Sequence, residues 1–183
     1  IRHFVNIYVN SREVRSLQGV DTGLEAGDEV AFVPMMAGGA NSQDPYLLRR
    51  RSEQELERQL LEVPGTLYAE AVEHAQRDFP NECCGLIAGL PVPGGFRAER
   101  IYEMENIEHS PLAYRLDPRE QLKAFDEIDD AGLELIAIYH SHTHSRAYPS
   151  ATDVRLAYYP DSYYVIISLA DRDMPDMRAF SII

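Results

Sequence analysis

The run Leu133-Glu134-Leu135-Ile136-Ala137-Ile138-Tyr139 leads directly into His140-Ser141-His142-Thr143-His144. A short apolar run of this kind reads as a buried strand, which needs neighbours on both sides and commits the chain to a sheet. Side chains alternate faces along a strand, so His140 and His142 point the same way at its end. Two imidazoles on one face can share a metal ion. After a loop closed by Tyr148-Pro149, Ser150-Ala151-Thr152-Asp153 begins the next helix. That start places a carboxylate where it can fold back over the strand end. Two histidines and an aspartate with one position open are the donors of a catalytic rather than a structural zinc site.

Each of these residues also has a plainer reading. Ser-x-x-Asp is a capping box, and helix N-termini favour carboxylates in any case. A capping serine still has a hydroxyl to offer a ligand. His144 would make a third histidine at i+4, but the strand is expected to end near Thr143, which leaves it outside the ligand set. Hydrolysis at such a site also needs a proton carrier. Glu82 lies just past a helix and enters an apolar run, Cys83 to Leu90, where a carboxylate is costly unless it serves a purpose. Cys83 and Cys84 sit against Gly85-Leu86-Ile87 and read as small core residues rather than thiolate ligands. His74 is expected on an exposed helix face and His109 in a loop.

Residues 62–183 alternate helix and strand signals. Leu67, Val72, Ala75 and Phe79 mark a helix that Pro80 stops. Cys83 to Leu90 is a buried strand, Pro91-Val92-Pro93-Gly94-Gly95 a loop, and Arg100 to Met104 a strand. Asp117-Pro118-Arg119-Glu120 opens a helix whose buried stripe is Leu122, Phe125 and Ile128, with Gly132 at its end. Leu133 to Tyr139 is the next strand, followed by a helix from Ser150 through Tyr159. Strands at Tyr163 to Leu169 and from Met177 onward complete the set. The pattern is that of an α/β domain, a sheet flanked by helices.

Length and charge narrow the function. The chain has 183 residues, enough for one full domain and a smaller piece, and 45% of them are hydrophobic, enough for a real core. A net charge of −13 disfavours nucleic acid and anionic lipid as partners. No apolar run reaches the ~18 residues of a membrane span. Two adjacent cysteines make no disulfide framework, which points to a reducing compartment such as the cytoplasm. The start at Ile1 and the apolar end Phe180-Ser181-Ile182-Ile183 suggest an excerpt of a longer protein.

Asn81-Glu82-Cys83-Cys84-Gly85, then His140-Ser141-His142, seven residues, Ser150, two residues and Asp153 resemble the JAMM (MPN+) metalloprotease motif, an upstream Glu followed by His-[Ser/Thr]-His-x7-Ser-x2-Asp. The stretches around Tyr139 to Thr143 and Ala147 to Ser150, with Tyr164-Val165, resemble the bacterial Mec-type branch. The resemblance implies a cytidine-deaminase-like α/β fold with a mixed sheet. It implies Zn2+ held by His140, His142 and Asp153, with Glu82 as general base and acid. Ser150 would donate a hydrogen bond to the developing oxyanion, and Ser141 would be structural.

The first 39 residues are β-rich, with strands at Phe4 to Asn10 and Glu29 to Pro34 around the turn Ala26-Gly27-Asp28. Ending in Pro34-Met35-Met36-Ala37-Gly38-Gly39, they resemble the C-terminal half of a MoaD/ThiS-type ubiquitin-like sulfur carrier of the β-grasp fold. Residues 40–61 read as a linker, with a short capped helix at Ser52 to Glu57. In such carriers the terminal glycine carboxylate is adenylated, so an E1-like enzyme is an implied partner. Here Gly39 is joined to Ala40, which blocks that carboxylate. JAMM enzymes cleave amide bonds after Gly-Gly tails, so the combination implies a carrier–peptidase fusion cut at Gly39–Ala40. The Mec resemblance adds release of cysteine from a carrier–cysteine adduct. The alternative is a non-catalytic binding module on a JAMM fold. Lys123 is the only lysine and lies outside residues 1–39, so this piece of carrier would act as a donor through its tail.

Overall fold

The computed structural model describes residues 5–9, 12–13, 30–34, 37–39 and 60–182. The turn at 26–28, the loop at 40–45 and the helix expected at 52–57 lie outside the described residues. Four strands belong to the N-terminal region: β1 (Val5–Val9), β2 (Arg12–Glu13), β3 (Val30–Pro34) and β4 (Ala37–Gly39). β1 is flanked by β2 and β3 in an antiparallel three-stranded sheet, with Val5 opposite Pro34 and Val9 opposite Val30.

The rest is built on one mixed sheet of six strands. In chain order they are β5 (Leu60–Glu62), β6 (Cys84–Val92), β7 (Gly95–Met104), β9 (Glu134–His142), β10 (Tyr163–Ser168) and β11 (Asp176–Phe180). Across the sheet the order is β11-β10-β9-β6-β7-β5, so the apolar strand β9 lies in the interior with a neighbour on each side. It pairs parallel to β10 and antiparallel to β6. A separate short strand, β8 (Ala113–Arg115), pairs antiparallel with β4.

Helices cover both faces. On one face α1 (Gly65–Asp78) packs Ala71 and Ala75 against Cys83, Ile87, Tyr139 and Val165. On the other, α2 (Pro118–Asp130) brings Ala124 and Phe125 onto Cys84, Leu86, Ile138 and Tyr164, and Val154 of α3 (Ala151–Arg155) joins them. Neighbouring residues of β9 therefore serve different faces, Tyr139 with the α1 side and Ile138 with the α2 side. Asp117 caps α2 as its sequence predicts, accepting hydrogen bonds from the backbone N–H groups of Arg119 and Glu120. Gly132 follows its end with φ at 65°, a left-handed position that glycine takes without strain.

Several local expectations need correction. The stretch read as a loop at 91–95 is a hairpin: β6 runs to Val92, β7 starts at Gly95, and Pro93-Gly94 makes a two-residue turn with Gly94 at φ 84°. β7 is accordingly longer than Arg100 to Met104. The buried residues of α2 are Gln121, Ala124 and Ile128, while Leu122 and Phe125 are half-buried. The helix expected from Ser150 through Tyr159 ends at Arg155, because the Tyr159 N–H turns to donate to the Tyr164 hydroxyl. His74 is buried rather than exposed: its Nδ1 is 2.7 Å from the Tyr139 hydroxyl and its Nε2 3.2 Å from Asp78.

Candidate active site

β9 extends through His142, so both histidines stand in the strand and share its α2 face. Asp153 comes from the first turn of α3, where a complete capping box fixes it. The Ser150 Oγ accepts from the Asp153 N–H at 3.1 Å, and the Ser150 N–H donates to Asp153 Oδ2 at 2.6 Å. The capping role weighed against a catalytic one for Ser150 is thus present. It also aims the aspartate at the two histidines.

The three side chains converge. The Nε2 atoms of His140 and His142 are 3.1 Å apart. The His140 Nε2 is 3.5 Å from Asp153 Oδ1, and the His142 Nε2 is 3.4 Å from Asp153 Oδ2. A tetrahedral ion with bonds of ~2.0–2.1 Å has ligand–ligand edges of about 3.3 Å, so these spacings suit one zinc ion. All three residues are buried, at 2% exposure or less.

Tautomers and charges fit as well. His142 Nδ1 lies 3.0 Å from the Ser145 hydroxyl and 3.1 Å from the Arg146 carbonyl; the carbonyl can only accept, and a proton given to it from Nδ1 leaves Nε2 as the atom facing the cluster. Burial lowers the pKa of His140 and keeps it neutral. Burial alone would raise the Asp153 carboxyl, but His140, His142 and the Ser150 N–H hold it well below the usual range. A neutral His140 beside an ionised Asp153 is the arrangement of protons that metal binding needs.

Glu82 enters from the strand alongside. In the antiparallel register Cys84 is opposite His140, which puts Glu82 on the same face two residues earlier. Its backbone is held from both sides. The Glu82 N–H donates to the Ser110 carbonyl at 2.9 Å, and the next residue, Cys83, donates its N–H to Ser141 Oγ at 2.8 Å. Ser141 therefore fixes the approach of Glu82 from the opposite face. The Glu82 carboxyl is fully buried, and neither oxygen has a hydrogen-bond partner among the described residues. Burial, and then the charge of Asp153, push its pKa up to about 9. A buried carboxyl without partners beside three metal-type donors is costly for a merely structural group.

Other sequence candidates fall outside this cluster. His144 is exposed, its Nδ1 2.7 Å from Thr143 Oγ1, and it is not among the converging donors. Cys83 and Cys84 are buried and free, with burial pushing the Cys83 thiol up to about 12. His109 lies in a loop at φ 45°. Two residues that sequence reasoning did not single out belong to the site. Tyr114 of β8 stacks on His140 with ring centroids 4.4 Å apart. The buried Asn106 donates to the Glu82 carbonyl. Both arrive through long-range contacts that leave no local pattern.

The tail residues are placed too. β4 pairs with β8 so that Ala37 is opposite Arg115, Gly38 opposite Tyr114 and Gly39 opposite Ala113. α3, which carries Asp153, lies against the same strand.

Two histidines, an aspartate and a buried glutamate gathered where two antiparallel strands of a mixed sheet meet define a hydrolase domain of the JAB type. The chain belongs to the prokaryotic homologues of the JAB domain, whose family description matches residues 64–183, and residues 1–39 match the ThiS family. It is 44% identical over 124 residues to the CysO-cysteine peptidase of Mycobacterium bovis, covering 68% of this chain and 84% of that protein. It is 46% identical over 39 residues to the sulfur carrier protein CysO of the same organism, covering 21% of this chain and 42% of the carrier. The solution structure of protein DSY2949 from Desulfitobacterium hafniense superposes with a TM-score of 0.60 at 36% identity, covering 66% of this chain and 83% of that one. The mixed sheet flanked by helices is thus the JAB fold, preceded by part of a ubiquitin-like domain. No helix among the described residues is long and apolar enough to cross a membrane.

Proposed function

We propose that this chain is a zinc-dependent peptidase that hydrolyses the amide bond after a Gly-Gly tail, and that its own Gly39–Ala40 bond is one substrate. The observation that carries this reading is the pairing of β4 with β8 beside the His-His-Asp group. β4 runs along β8 from Arg115 toward Ala113, so its end at Gly39 points toward Ser110 and Pro111. The Ser110 carbonyl accepts from the Glu82 N–H, and the Pro111 carbonyl accepts from the Thr143 hydroxyl, next to His142. The tail thus heads for the catalytic groups. Two glycines suit a narrow cleft, since they bring no side chains into it.

His140, His142 and Asp153 would hold the ion. Zinc bound there would polarise the scissile carbonyl, acidify the attacking water and draw the Glu82 carboxyl back toward ionisation. Glu82 accepts a proton from the attacking water and delivers one to the leaving amine. The C–N bond breaks, leaving a carboxylate on Gly39 and a free amine on Ala40. Ser150, held against Asp153, is the side chain we assign to the oxyanion.

In this reading residues 1–39 are carrier, 40–61 linker and 62–183 peptidase, with the last two linker residues already forming the start of edge strand β5 of the peptidase sheet. The freed glycine carboxylate is then available to an E1-like adenylating enzyme. Two free thiols fit the reducing cytoplasm. The kinship with a CysO-cysteine peptidase supports cysteine as a further leaving group. The test is to offer the zinc-loaded protein two tails, one ending in Gly-Gly-cysteine and one in a Gly-Gly–lysine isopeptide. Release of cysteine in preference to lysine supports the adduct substrate. Cleavage of neither overturns the peptidase reading and favours a binding module.

A further inference from the structure

Resting on that reading of the site, we infer that Asn106 is a positioning residue that locks the tail-docking strand to the general base. Asn106 is buried and joins three pieces of backbone with its one side chain. Its Nδ2 donates to the Glu82 carbonyl at 2.9 Å and to the Ala113 carbonyl at 3.0 Å. Its Oδ1 accepts from the Arg115 N–H and the Glu108 N–H, each at 3.1 Å. The amide's two donor hydrogens and its acceptor oxygen are all used.

The pattern along β8 is what matters. Backbone groups of alternate residues in a strand point to opposite edges. Asn106 takes the Ala113 C=O and the Arg115 N–H, and the Ile107 N–H donates to the Arg115 C=O at 3.0 Å. One edge of the three-residue strand is therefore consumed. The N–H and C=O of Tyr114 are left facing the other edge, opposite Gly38. Asn106 acts as a substitute partner strand that keeps β8 extended, although β8 is outside the six-stranded sheet.

The same side chain grips Glu82. Asn106 holds the Glu82 carbonyl while the Ser110 carbonyl, four residues further along the chain, receives the Glu82 N–H. An ion pair between Arg115 and Glu108 closes this loop from outside. A displacement of Asn106 therefore moves the docked tail and the Glu82 backbone together. Loss of its donors should weaken tail binding and slow the chemical step at once, a pairing that a purely structural role would not give.

The experiment uses the full chain and a peptide with the sequence of residues 33–44. Asn106→Asp keeps the shape and the acceptor but removes both donors. Asn106→Ala removes everything. Peptide affinity is measured in the Glu82→Gln background with Gly38→Pro added, which removes the N–H that the chain's own tail offers opposite Tyr114 and frees β8 for the peptide, and kcat and KM in the Glu82-containing protein, both well below the thermal midpoint of each variant. The expected result is at least a tenfold weaker Kd and at least a tenfold lower kcat for both variants, with zinc content unchanged. A lower thermal midpoint with kcat and Kd unaltered overturns the proposal. If the Glu82-containing protein binds the peptide but cuts nothing, the peptidase reading fails. The Kd comparison then still decides whether Asn106 holds the docking strand.

Discussion

Replacing Glu82 with glutamine is expected to make the zinc-free protein more stable while slowing cleavage by orders of magnitude. Glu82 is fully buried with no hydrogen-bond partner on either oxygen, and its pKa rises from 4.5 to about 9 on folding. A group whose folded pKa is raised favours folding fully below its unfolded pKa and loses that contribution as pH rises toward the folded value. At pH 7 the zinc-free folded state must keep this carboxyl protonated. With an unfolded value of 4.5 the cost is about 3 kcal/mol, at about 1.4 kcal/mol per pH unit. At pH 5 it shrinks below about 1 kcal/mol by the same arithmetic. Glutamine does not titrate and escapes the cost, while its amide is about as poorly satisfied as the protonated acid. Urea unfolding of chelator-treated Glu82→Gln and wild-type protein at pH 5 and pH 7 measures the difference. The thermal counterpart is on the order of 10 °C at pH 7. Cleavage by the zinc-loaded variant should drop by about 10²–10⁴. Equal stabilities at pH 7, or a gap that does not narrow at pH 5, would refute the reasoning.

The ligand set can be checked by elemental analysis: Asp153→Ala is expected to lose zinc, and His144→Ala to retain it. Ser150→Ala removes a cap worth about 1 kcal/mol and, if the hydroxyl meets the oxyanion, slows cleavage by about 10²–10³. Urea midpoints and rates separate the two roles. Gly85→Ala would put a Cβ 2.3 Å from the Tyr102 carbonyl oxygen and 2.5 Å from the Tyr139 ring. Backbone on one side and a buried ring on the other cannot both give way, so stability should fall by more than about 2 kcal/mol, read by denaturant unfolding.

The parts of the site legible in the sequence are those set by local rules. Strand alternation places His140 and His142 on one face, and a helix start places Asp153 above them. Glu82 was legible as an acid entering an apolar run. What the sequence hid is long-range. The helix face carrying His74 reads as exposed because nothing nearby announces that Tyr139, 65 residues away, offers its hydroxyl. Asn106 sits in a polar stretch whose meaning appears only when Glu82 and β8 arrive beside it. The helix expected through Tyr159 was cut short by Tyr164, which competes for its backbone. The pairing of Gly38 with Tyr114 spans 76 positions and follows from tertiary docking, which has no sequence period.

The most direct measurement is the intact mass of the full-length chain after incubation with zinc, run beside Glu82→Gln and a chelator-treated sample. The account predicts a break between Gly39 and Ala40 in the zinc-loaded wild type, with both controls remaining whole. If all three samples stay equally intact at every protein concentration, the central claim that this tail is cut by this site is contradicted.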